Sequence, residues 1–155
     1  MRKMKLKSHK VVTILYLDVR SKDVYNQRPL LGANTLIYDS TGNGRPIYIP
    51  ANVLAKAKYD EKIPLILGHE NKHFILGFIN NIKYNVITKM LYGDINVDKR
   101  WNKTVLRKFS EGVNGLSVEF GSIDKSQGYF DQVIELHLTR VAIVDNPAYS
   151  GSVVY

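Results

Sequence analysis

The sequence has no cysteine. That excludes a disulfide framework, thiolate catalysis and any cysteine-ligated metal, and it fits a reducing compartment. No apolar run approaches the roughly 20 residues that a membrane-spanning helix needs. The longest β-branched run near the start, Val11-Val12-Thr13-Ile14-Leu15-Tyr16-Leu17, follows a basic stretch but has no small-residue cleavage site after it. A secretory leader is therefore not expected. Glycine-rich phosphate loops are absent, and so is any alternation of strands with helices. There are no repeats, low-complexity segments or internal linkers. Acidic residues are few, 14 against 22 Lys and Arg, leaving a net charge of +8. Such a surplus suits an acidic partner or simple solubility. The cations are scattered, and the ten tyrosines are not interleaved with arginine as in an RNA-binding motif. Specific nucleic-acid binding is not expected.

What is present is an ordinary folded composition, 45% apolar over 155 residues. That is enough for one domain with its own core. A single domain is expected over residues 1–155, with residues 1–9 as a basic tail. Residues 10–18 alternate as a strand, and 19–33 are polar and read as a connection. Further strands are expected at 33–38, 46–49, 63–67, 74–80, 84–88, 91–97, 116–120 and 133–144. Turn-forming residues lie at 39–44, 80–81, 89–90 and 124–128. Pro50-Ala51-Asn52 opens a short helix to about Lys58. Asp98 suits the N-cap of a second helix reaching about Ser110, whose Trp101, Val105, Leu106 and Phe109 share one face. Gly112 suits its end. The sum is a mostly β (α+β) protein: an antiparallel β-barrel of about seven strands with two or more peripheral helices.

Two chemistries can be read from the residues. His69-Glu70-Asn71-Lys72-His73 matches the HExxH zinc signature, in which two histidines one helical turn apart bind zinc and the glutamate acts as base. Here Gly68 precedes the motif and the strand-like Phe74–Ile79 follows it. The context reads as a polar turn between strands, so no metal is expected. The second chemistry is spread along the chain. His69 follows the apolar run Pro64–Gly68. Ser117 lies in Gly115-Leu116-Ser117-Val118-Glu119-Phe120, where alternation sends Leu116, Val118 and Phe120 to one face and Ser117 and Glu119 to the other. A serine becomes a nucleophile when a base takes its proton, usually a neutral histidine oriented by a third group.

The order of several short motifs resembles the prohead (capsid maturation) proteases of tailed bacteriophages, which share the assemblin-like fold of herpesvirus proteases. The motifs are Arg28-Pro29-Leu30-Leu31-Gly32, Leu36-Ile37-Tyr38, Ile47-Tyr48-Ile49-Pro50-Ala51, Ile63–His69, Gly115–Phe120, and Arg140-Val141-Ala142-Ile143-Val144 with Asn146-Pro147-Ala148. Together they cover about residues 28–150. The resemblance implies a serine endopeptidase with Ser117 as nucleophile and His69 as general base. It would cut the phage scaffolding protein, the major capsid protein and perhaps itself, inside the assembling procapsid in the host cytoplasm. It implies no cofactor, and a homodimer is conceivable from the herpesvirus relatives. It also places oxyanion donors in the loop Asn146–Gly151.

The family's third member, a histidine or an acid, directly precedes the last strand. Arg140 stands there. A guanidinium only donates hydrogen bonds, and its charge disfavours an imidazolium. Three explanations stay open: a Ser–His dyad, a substitute, or a catalytically weak or inactive copy acting as a procapsid structural or scaffold-binding module. His137 is one substitute. A bulge near Thr139-Arg140 would reconcile the Leu136/Leu138 parity with that of Val141/Ile143 and put His137 on the face of the catalytic position. Glu119 is another.

Overall fold

The computed structural model describes residues 6–14, 24–38, 45–68, 74–111, 115–144 and 152–154. Its elements follow the chain as β1 (Lys7–Ile14), β2 (Val24–Gly32), β3 (Leu36–Tyr38), β4 (Pro46–Tyr48), α1 (Ala51–Ala55), β5 (Ile63–Leu67), β6 (Ile75–Asn85) and β7 (Met90–Val97). A 3-10 turn (Lys99–Trp101), α2 (Asn102–Ser110), β8 (Gly115–Gln127), β9 (Phe130–Val144) and β10 (Ser152–Val154) complete it. Ten strands hydrogen-bond into one sheet in the order β10-β1-β8-β9-β5-β6-β7-β2, with the β3–β4 hairpin joined to β9 through β4. Three of the strands are three-residue pieces, and the other seven form the curled half-barrel. The mostly β expectation, with two helices, is met.

The pairing is mixed where a purely antiparallel barrel was expected. β5 and β4 each run parallel to β9, and β10 runs parallel to β1. A parallel neighbour needs a long crossover, and the hairpins between β5 and β9 provide one. Residues 24–32, read as a connection, form β2 instead. Tyr25, Leu30 and Leu31 of this strand are buried in the core. Its polar look comes from two register slips, at Tyr25/Arg28 and Pro29/Leu31, and Pro29 is tolerated because β2 closes one end of the strand order.

Two expected turns are also bulges or strand. Asn80-Asn81 lies within β6, where Asn81 has φ 49° and the register slips between Asn80 and Lys83. The true turn is 86–89, where the Asn85 side chain accepts hydrogen bonds from the backbone N–H of Ile87 and Thr88 at 2.9 and 3.0 Å. β8 continues to Gln127, so the β8–β9 turn is confined to Gly128-Tyr129, with Gly128 at φ 73°. Expected turns at 39–44 and the stop at Gly112 fall outside the described residues.

The core fills the inner face of the curl. Val11, Leu65, Leu116, Val118, Phe120, Val141 and Ile143 face it from the β1-β8-β9-β5 side, and Tyr25, Leu30, Ile79, Leu91 and Ile95 from the β6-β7-β2 side. α1 contributes Leu54 and α2 contributes Val105. Asp98 begins the second helical segment by accepting the Arg100 N–H at 3.0 Å. β8 is central, and each of residues 115–122 is buried on both of its faces.

Candidate active site

Ser117 is the third residue of that central strand. The register places it beside Val12 of β1 on one side and Ala142 of β9 on the other, and Ala142 beside Ile66 of β5. Cross-strand partners share a face, so Ser117, Ala142 and Ile66 lie on the face opposite the core cluster, which contains Leu116, Val118, Val141 and Leu65. The alternation read from the sequence is correct. That second face is also closed: Ser117 is 0% exposed, as is Ala142, and Ile66 is 1% exposed. Both faces of β8 are covered over residues 115–122, which alternation alone does not reveal.

β5 runs parallel to β9 with Leu67 opposite Ile143, and the Gly68 N–H donates to the Ile143 carbonyl at 2.9 Å. Gly68 then takes φ 67°, a left-handed conformation that ends the strand. The chain thus leaves β5 two strand spacings from β8, about 10 Å. His69 follows at once, but His69, Glu70 and His73 lie outside the described residues. So does the loop Asn146–Gly151. Among the described residues no cluster of three or more His, Cys, Asp or Glu could hold a metal ion.

The three candidates for a third member occupy one face of the β8–β9 ribbon. Arg140 pairs with Glu119, two residues along from Ser117/Ala142 on the same face. The Arg140 Nε lies 3.2 Å from the Glu119 Oε2, so the family position and the nearest carboxylate hold each other. The bulge expected near Thr139-Arg140 is present: Glu119 pairs with Arg140 and Phe120 with Leu138, leaving Thr139 over. The Thr139 hydroxyl donates to the Glu119 carbonyl at 2.9 Å and so fastens the bulge. This shift puts His137 opposite Gly121, on Ser117's face. Gly121 is four residues from Ser117 along β8, about 13 Å. The structure therefore does not bring His137 and Ser117 together. His137 instead lies 3.2 Å from the Glu135 carboxylate, which also accepts from Lys58 at 2.5 Å. The hydrogen bond from Lys58 holds the Glu135 carboxyl below its ordinary value.

A second polar group was missed by the sequence reading. His9, assigned to a tail, belongs to β1 and is 1% exposed. Its Nε2 lies 3.0 Å from the Asp124 Oδ2, while the Ser122 hydroxyl donates to the Asp124 Oδ1. The ring of His9 also packs on Phe120, with centroids 5.2 Å apart. Burial pushes the Asp124 carboxyl up. The hydrogen bonds from His9 and Ser122, with the charges of His9 and Lys7, outweigh it and leave the carboxyl below the ordinary 3.8. Serine, aspartate and histidine meet here, but with the carboxylate in the middle. A nucleophile needs the imidazole next to the hydroxyl, so this is a structural tie between β1 and β8. The signal that could have found it is parity: His9 and Val11 alternate toward the core.

No family model matches the chain, and no curated protein matches it in sequence. Among solved structures, the chain is similar to the capsid assembly protease gp21 of bacteriophage T4. The TM-score is 0.54 at 12% identity, covering 90% of this chain and 97% of that one. At that identity the likeness is one of fold.

Proposed function

We propose that this chain is a serine endopeptidase of phage capsid maturation, with Ser117 as nucleophile and His69 as general base. The observation that carries the reading is the fold shared nearly end to end with a capsid assembly protease. The order of the prohead-protease motifs along the sequence supports it independently. So does the topology, in which β5, ending at Leu67, lies two places from the strand of Ser117.

In this reading the Ser117 hydroxyl attacks the scissile carbonyl while the His69 imidazole takes its proton. The imidazolium returns that proton to the leaving amine. The acyl-enzyme that remains is cleaved by water activated by the same imidazole, which regenerates the hydroxyl. Arg140 has no part in orienting the base, since a guanidinium accepts no hydrogen bond and this one is ion-paired with Glu119. The chemistry then rests on a Ser–His pair or on a third group other than Arg140, with His137 and Glu119 as the candidates. The burial of Ser117 adds a requirement: its cover must move before a polypeptide can reach the hydroxyl. The substrates in this reading are the scaffolding and major capsid proteins, cut inside the procapsid in the host cytoplasm, with pairing of two copies left to solution measurement. Among the described residues no helix is long and apolar enough to cross a membrane.

The second reading is a binding module that kept the fold. The same burial of Ser117 and the Arg140–Glu119 pair favour it. Co-expression with the scaffolding and capsid proteins of the same phage separates the two. Wild-type protein should produce discrete fragments, and Ser117→Ala should lower their rate by about 10³-fold or more. Fragments unchanged in Ser117→Ala would refute the serine mechanism. Stable association without any fragments would establish the binding module.

A further inference from the structure

A groove lies well away from Ser117, between α1 and the bulged stretch of β9. It has a volume of about 500 Å³. Val53, Ile123 and Ile134 give it an apolar floor, and Lys56, Lys58 and Glu135 rim it. Its apolar character comes from a register irregularity. Asp124 pairs with Val133 and Ile123 with Glu135, so Ile134 is an extra residue on β9. A bulge of this kind re-aims a side chain, and Ile134 is left 49% exposed inside the groove. The charge is unbalanced. Glu135 is engaged by both Lys58 and His137, whereas Lys56 has no ion-pair partner among the described residues. An exposed β-branched side chain beside an uncompensated ammonium, on a chain of net charge +8, complements a carboxylate next to an apolar group.

The groove also opens on a meaningful face. Ser117, Glu119, Gly121 and Ile123 alternate along β8, and their partners Ala142, Arg140, His137 and Glu135 follow along β9. Groove and serine therefore share one face of the same ribbon, six residues or about 20 Å apart. We propose that this groove docks an acidic segment of a partner polypeptide, with one apolar side chain set against Ile123 and Ile134 and a carboxylate at Lys56. Docking of this kind needs no cleavage, so it stands or falls apart from the role of Ser117.

The test is fluorescence anisotropy with a labelled peptide, Gly-Glu-Glu-Leu-Glu-Glu-Gly, against the intact protein at low salt. Lys56→Glu and Ile134→Ser should each weaken binding about tenfold or more, and replacing the peptide's leucine by serine should do the same. Both altered side chains are exposed, and an unchanged thermal midpoint would show that the fold is kept. Lys103→Glu, on the exposed side of α2, removes the same charge elsewhere and should leave binding unchanged. Equal losses in Lys103→Glu, equal binding of the leucine-free peptide, or no binding at millimolar peptide would each overturn the proposal. The first two would mean that net charge alone attracts the peptide.

Discussion

At the scale of single residues, two polar arrangements bear on what the protein does. One is the Arg140–Glu119 pair beside Ser117, where an arginine stands at the position the prohead-protease pattern gives to a histidine or an acid. The other is the His9–Asp124–Ser122 tie. The motif around Ser117 and the place of His69 after an apolar strand make them candidates from the sequence alone. The tie is not legible there, because His9 and Asp124 are 115 residues apart and a short basic stretch looks like a tail. Its consequence is a pH dependence with a definite sign. The Asp124 carboxyl titrates below its ordinary value of 3.8 in the folded state. The tie therefore contributes stability above that value, and the contribution is lost as pH falls through the depressed folded value. Asp124→Asn should be less stable than wild type by about 1–3 kcal/mol at pH 7. In urea unfolding the gap should narrow as pH drops below about 4. A gap that stays constant with pH would show that the carboxylate charge does not matter there.

At the scale of elements, strands with plain apolar alternation or continuous apolar runs were readable, and irregular ones were not. β5 was placed residue for residue because Ile63–Leu67 is a short apolar run between polar flanks. The Thr139 bulge was readable because the apolar parity of β9 changes on either side of it. β2 was missed because its proline and polar residues imitate a loop, and a single sequence does not show which strand lies at the sheet's end. Asn80-Asn81 reads as a turn in the sequence because a bulge with positive φ selects the same residues as a turn does. Close backbone approach is another hidden constraint. A Cβ on Gly77 would lie 1.8 Å from the Asn96 carbonyl oxygen and 2.9 Å from its carbon. Backbone atoms held in the β6–β7 ladder cannot step aside. Gly77→Ala should cost at least about 3 kcal/mol in denaturant unfolding. A loss under about 1 kcal/mol would mean that β6 and β7 slide apart freely.

At the scale of the whole molecule, the half-barrel does for Ser117 what no short motif can. It brings β1, the β8–β9 hairpin and β5 side by side, although these three are far apart in the chain. It also covers both faces of the central strand, so the candidate hydroxyl is held in place but closed to solvent in this state. The mostly β class and the two helices could be read from periodicity. The parallel pairings and the covered outer face could not, since they depend on which strands become neighbours. The likeness to a capsid assembly protease is a likeness of this architecture, and the catalytic reading turns on one side chain within it. The most direct test treats the protein with excess fluorophosphonate and measures the mass of the peptide carrying Ser117. The account predicts a single phosphonyl adduct on Ser117 that is lost in His69→Ala. No adduct after prolonged exposure, or one that forms at the same rate in His69→Ala, would contradict it.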